Sequence, residues 1–188
     1  MSNYIKLFSF VLLGLFIGSC QDDDSDFDLF TLRHDGENAT APALPIGDYE
    51  AGAHFTAADV ANHPQTELIA IEYFVQDRPA SAEILVSAST GGNAPGNIMF
   101  SRDVSTEIVP FSWNRVDLGS PIPLNNGLWL SMAFTNNVDN LQVMGCDGGP
   151  RNANGDWLFD SFDGNWLTYQ NRTGESINWN IRGILQDR

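Results

Sequence analysis

Between Glu67 and Leu185, apolar and polar residues alternate with a period of two in five separate stretches, and no segment sustains a helical period. Ile69, Ile71, Tyr73 and Val75 share one face of 67–75, Ile84 and Val86 one face of 82–88, and Val116 and Leu118 one face of 112–118. Leu128, Leu130, Met132 and Phe134 do the same over 127–134. Over 177–185 Trp179 and Ile181 fall on one side, with Asn178, Asn180 and Arg182 opposite. Successive side chains of a strand point to opposite faces, so each stretch reads as a strand with one buried face. Thr90 to Gly96, Asn125-Asn126-Gly127 and Asp163-Gly164-Asn165 are the turn clusters between them. Upstream, Asp35 to Asn38 reads as a polar turn and the Pro-punctuated stretch to Gly47 as loop. Thr56-Ala57-Ala58-Asp59 has the spacing of a capping box and predicts one short helical turn, ended by Pro64. Many short strands and one helical turn predict an all-β fold, an antiparallel β-sandwich or barrel.

The first 28 residues depart from this pattern. Lys6 precedes an apolar run, Leu7 to Phe16, too short for an ordinary transmembrane helix, and small residues lead into Cys20. That is the layout of a secretory signal. Ile17-Gly18-Ser19-Cys20 resembles the bacterial lipobox, which implies lipid attachment at Cys20 and removal of residues 1–19. The acidic run from Gln21 to Asp28 resembles the export signal of surface lipoproteins in Bacteroidota-type bacteria. The expected organisation is a signal peptide over 1–19, an acidic tether over 20–30 and a β-sandwich domain over 31–188. The expected location is the outer membrane, facing outward and held by the lipid on Cys20.

Charge narrows the partners. The formal net charge is −15 and the only lysine is Lys6, so the exported chain is more acidic still. Such a surface repels nucleic acid, which is excluded as a partner. With Cys20 lipidated, Cys146 has no cysteine to pair with, and no internal disulfide can staple the fold. Catalytic signals are few. His34, His54 and His63 fall in loop-like or turn-like segments at no metal-ligand spacing, and there is no Gly-x-Ser-x-Gly. Cys146 sits among glycines beside Asp147, which raises a thiol pKa. The chain is therefore expected not to be an enzyme. A carboxylate pair for glycoside hydrolysis depends on a separation that only the fold sets.

Two oxygen-rich loops stand out. Asp147 to Asp156 combines carboxylates, amides and glycines, and hard oxygen donors suit Ca²⁺. Asp147, Asn152, Asn154 and Asp156 are the expected ligands, with Asp35, Glu37 and Asn38 as a second cluster. An EF-hand loop is excluded, because counting from Asn152 the sixth position is Trp157 where glycine is required. The tryptophans divide by parity. Trp179 shares its face with Ile181 and belongs to the core, whereas Trp113 lies opposite Val116 and Leu118, and Trp129 opposite Leu128, Leu130 and Met132. Trp113 and Trp129 are thus expected to face away from the core as a platform for sugar or peptide. Trp166, with Trp157 and Tyr169, follows the polar loop and is placed at the rim of the same site.

Several phrases recur in an order that resembles a known family. They are Leu32-Arg33-His34-Asp35-Gly36, Ser112 to Leu118, Gly127-Leu128-Trp129-Leu130, Gly145 to Pro150, Gly155-Asp156-Trp157 and Asn178 to Arg182. Together they resemble the jelly-roll domains of the cleaved-adhesin and hemagglutinin type in Bacteroidota surface proteins, over about Thr31 to Leu185. The resemblance implies a jelly-roll-like sandwich and a binding or adhesion module with structural calcium. The expected function is a lipid-anchored surface module for a glycan or a surface or host protein. A structural subunit of a surface lipoprotein complex and a glycan-active hydrolase are the alternatives.

Overall fold

The structure, a computed structural model, describes residues 29–188. The lipobox, Cys20 and most of the acidic tether lie outside the described residues. Among the described residues ten strands and two short helices follow one another: β1 (Leu29–Leu32), β2 (Gly47–Thr56), α1 (Ala57–Val60), β3 (Thr66–Val75), β4 (Ser81–Ala88), β5 (Ile98–Asp103), β6 (Ser112–Pro123), β7 (Gly127–Asn136), β8 (Trp157–Asp160), β9 (Asn165–Thr168), α2 (Tyr169–Thr173) and β10 (Ile181–Asp187). They form two antiparallel sheets, of order β1-β10-β3-β6 and β5-β4-β7-β2-β8-β9. The chain is an all-β sandwich, as the alternation predicts. Steps β3 to β4, β5 to β6 and β6 to β7 each cross from one sheet to the other.

The inner faces supply the core: Ile71, Tyr73, Val116 and Ile181 from the smaller sheet meet Phe55, Ile84, Leu130 and Met132 from the larger. Trp179 is buried in this core as its parity requires. One expected core position is corrected. Ile69 is half-exposed and Leu68 is fully buried instead, because the register against β6 shifts between Leu68 and Ala70. Such a bulge carries an extra residue and flips the side chains beyond it.

β2 starts at Gly47, where the expected loop ends, and His54 sits in this strand rather than in a loop or turn. Its inward residues are Tyr49, Ala51, Ala53 and Phe55, all buried, and the two alanines give a weak hydrophobic signal. Gly127 opens β7 at φ +85°, and a Cβ there would come 2.4 Å from the Phe55 carbonyl oxygen. Glycine alone tolerates both constraints. α1 has the predicted capping box, with the Thr56 hydroxyl taking the Asp59 N–H and the Asp59 carboxylate taking the Thr56 N–H. The second helix, α2, goes beyond the single helical turn predicted. Thr168 caps its start and Gly174, at φ +84°, ends it.

Candidate functional site

The two oxygen-rich loops come together as a hydrogen-bonded network. Asp147 is buried and its carboxylate accepts from the N–H groups of Gly36, Gly149 and Asn178 and from Asn178 Nδ2, at 2.8–2.9 Å. Burial alone would raise its pKa; the Asn178 side chain and the three backbone donors outweigh it and hold the carboxyl below the ordinary range. Asp35 is taken by Arg182 Nε at 2.9 and 3.0 Å and by Asn180 Nδ2 at 2.7 Å. Asp156 is taken by Arg151 Nε at 2.8 Å and the Gln170 N–H at 3.0 Å. The Asn152 side-chain oxygen accepts from the Asn154 N–H, while Glu37 is exposed.

Of the expected calcium ligands Asp147, Asn152, Asn154, Asp156, Asp35, Glu37 and Asn38, the three aspartates are engaged in this network, and the buried Asn38 Oδ1 has no hydrogen-bond partner among the described residues. Protein donors hold the carboxylates of Asp147, Asp35 and Asp156, the last two through arginine, and among the described residues no three His, Cys, Asp or Glu side chains converge. A cation would have to displace those bonds. The network instead ties the segment after β1 to the loop before β8 and to the approach to β10. Melting temperatures in millimolar calcium and in excess chelator are expected to coincide; a calcium-dependent rise of about 4 °C or more would restore an ion to the domain.

Of the platform tryptophans Trp113 and Trp129 and the rim residue Trp166, none is a bare exposed ring. Trp113 does face outward from the smaller sheet, but Arg182 covers it, with the guanidinium carbon 4.0 Å from the ring centroid, and Phe74 meets it edge-on. Trp129 faces away from the core and is nevertheless fully buried. His54 stacks on it at 4.6 Å and 6°, and Trp157 and Trp166 lean on it at 5.5 and 5.3 Å. Its expected exposure is corrected for a definite reason: the edge hairpin β8–β9 brings two indoles over the sheet. Gly52, paired with both Ser131 and Trp157, contributes no side chain between them. Trp166 is half-buried and keeps part of its ring open.

The outer face of the larger sheet is where side chains converge. Cross-strand register sets Trp166, Phe159, Glu50, Ala133, Glu83 and Asp103 in one row across all six strands. Five strand spacings of about 4.8 Å make that row roughly 24 Å long. The neighbouring row continues with Asp48, Thr135 and Ser81. Glu50 is half-buried and its Oε1 accepts from the Ser131 hydroxyl at 2.6 Å. Burial pushes its pKa up, the Ser131 bond opposes this, and the Glu83 charge across Ala133 adds to the rise. A cavity of about 370 Å³ opens beside this row, lined by Asp48, Ser81, Glu83, Asp103 and Thr135 among others. None of the positions in these two rows is Arg or Lys.

Cys146 is buried and its thiol is pushed up to about 12, by burial first and then by the Asp147 and Glu175 charges. It is therefore an inert thiol, in the direction its neighbours predict. No family model, curated protein or solved structure matches the chain.

Proposed function

We propose that the chain is a lipid-anchored surface module that binds a neutral or amino-bearing glycan along the outer face of the six-stranded sheet. The observation that carries this reading is the row from Trp166 to Asp103, aromatic at one end and carboxylate-lined over the rest. Indole and phenyl faces offer apolar area to a sugar ring. Carboxylates accept hydrogen bonds from hydroxyl or ammonium groups, and charge-assisted bonds of this kind are the stronger ones. Glu50, Glu83 and Asp103 of this row and Asp48 of the next, with no Arg or Lys among the positions of either, repel sulfated, sialylated or uronic chains. Anchoring rests on the resemblance of Ile17 to Cys20 to a lipobox, and two or more acyl chains on Cys20 would suffice for stable attachment.

A glycan array with the full chain tests the reading. Binding is expected to neutral or amino glycans and not to anionic ones. Trp166→Ala and Glu83→Gln are each expected to weaken it at least tenfold, about 1.4 kcal/mol. Binding that neither substitution weakens would move the ligand off this face.

A second reading, a subunit of a surface complex, is favoured by the end of the sandwich remote from the tether. Leu29 pairs with Gln186 beside the start of β3, whereas Phe111 donates to Gln76 past the end of β3. Phe111 is 69% exposed, and at that same end Phe162, at the tip of β8–β9, is 97% exposed. Stoichiometric co-purification with another surface protein, lost in Phe162→Ser, would favour this subunit role.

A further inference from the structure

His54 and Ser89 meet at the margin of the same sheet, in chemistry that glycan binding does not use. The imidazole is 5% exposed, stacked flat on Trp129, and its Nε2 lies 2.8 Å from Ser89 Oγ. Ser89 follows β4 directly and is half-exposed. Both open on a cavity of about 590 Å³ that Thr56, Thr90, Gly91 and Asn126 also line.

We propose that Ser89 and His54 are a nucleophile and general base that hydrolyse small uncharged carboxylic esters. A serine becomes a nucleophile when a base within about 2.6–3.2 Å can take its proton, and this pair lies inside that range. The ring is fixed in place by its stack on Trp129 and by the strand that carries it, whose His54 N–H donates to the Asn154 carbonyl at 2.8 Å. The Gly91 N–H donates to Ser89 Oγ at 3.3 Å, and with His54 protonated on Nδ1 the serine's own proton is directed at Nε2. Gly91, which also lines the cavity, lies at φ +76° with no atom within 4 Å of its missing Cβ.

Burial lowers the His54 pKa, with the Asp59 carboxylate from α1 raising it and His34, after β1, lowering it. The facing residues of β4 and β7, Ser87 and Trp129, carry no charge. The neutral imidazole is thus favoured at pH 7, and its Nδ1-protonated tautomer offers the Nε2 lone pair for the transfer. Among the described residues no charged side chain lines the cavity to hold a carboxylate or phosphate, and the substrate it fits is a neutral ester.

The steps balance as hydrolysis. Ser89 Oγ forms a bond to the ester carbonyl carbon as its proton passes to Nε2. The bond to the leaving alkoxide breaks, and that oxygen takes the proton from Nε2. Water, deprotonated in turn by His54, cleaves the acyl-serine, releasing the carboxylic acid and restoring Ser89. Ester and water become acid and alcohol, and no other reactant is required.

The test uses the full chain in detergent with an alkyl fluorophosphonate, which forms a serine oxygen–phosphorus bond and loses fluoride. Intact mass and peptide mapping are expected to show one adduct, on Ser89, absent from Ser89→Ala and formed about 100-fold more slowly in His54→Gln. Because His54→Gln also removes a buried stack, the second readout relies on the half-exposed serine alone. Hydrolysis of 4-nitrophenyl acetate is expected to rise with pH to a plateau with its midpoint below 6.5, the ordinary imidazole value, and to fall about 100-fold in Ser89→Ala. An unlabelled wild type, an adduct retained in Ser89→Ala, or ester turnover unchanged by that substitution would overturn the assignment. Glu83→Gln, which lies off this cavity and outside the His54–Trp129 stack, is expected to leave labelling unchanged, so the glycan site and the ester site fail or stand separately.

Discussion

Asp147→Ala is expected to destabilise the domain by about 3–5 kcal/mol, read as a lower denaturant midpoint at unchanged slope. The carboxylate accepts four N–H bonds, from Gly36, Gly149 and both nitrogens of Asn178, in a site only 6% exposed. Each buried donor left without an acceptor costs about 1–3 kcal/mol, and water entering the vacated space recovers part of the sum. The same site makes a pH prediction. Its folded pKa is depressed, so in acid the unfolded state binds the proton first, and stability rises with pH in that range. The contribution is complete above the ordinary value of 3.8 and is lost as pH falls through the lower folded value. Asp147→Asn is expected to remove this part of the acid dependence along with much of the stability. A calcium ligand would behave differently, because its loss would also abolish a calcium-dependent shift in melting.

Trp129→Ala is expected to cost about 3–5 kcal/mol as well, the usual range for removing a large aromatic from a packed site. The indole is fully buried beneath His54, Trp157 and Trp166, so truncation leaves a cavity under three rings that cannot all collapse into it. The loss should appear in thermal or denaturant melts rather than as a selective loss of affinity. If Trp129→Ala keeps wild-type stability and only ligand binding falls, the ring is an exposed platform after all.

Much of the fold can be read along the chain because single strands carry their own evidence. Leu128, Leu130, Met132 and Phe134 sit on one face by parity alone, and the Thr56–Asp59 box marks α1 locally. β2 escaped because two of its inward positions are alanine. A bulge leaves no mark in hydropathy, so Leu68 and Ile69 exchanged places without a signal. Composition marks the two oxygen-rich loops and shows how many oxygens each has, but not which N–H groups claim the Asp147 carboxylate.

Trp129 shows a different gap: parity gives the face, and exposure depends on a hairpin some thirty residues later that folds back over it. Glu50 and Glu83 stand on either side of Ala133 because β7 lies between β2 and β4, an order that local pattern cannot supply. Ser89 and His54, 35 residues apart, are joined by the same strand order.

Backbone amide chemical shifts of isotopically labelled protein, titrated with the neutral or amino oligosaccharide that ranks highest on the array, test the binding face most directly. The largest changes are expected at Glu50, Ala133, Glu83, Asp103, Phe159 and Trp166, neighbours in one cross-strand row. Changes centred instead on Glu72, Arg115 and Asp117 of the four-stranded sheet, with that row unmoved, would contradict it.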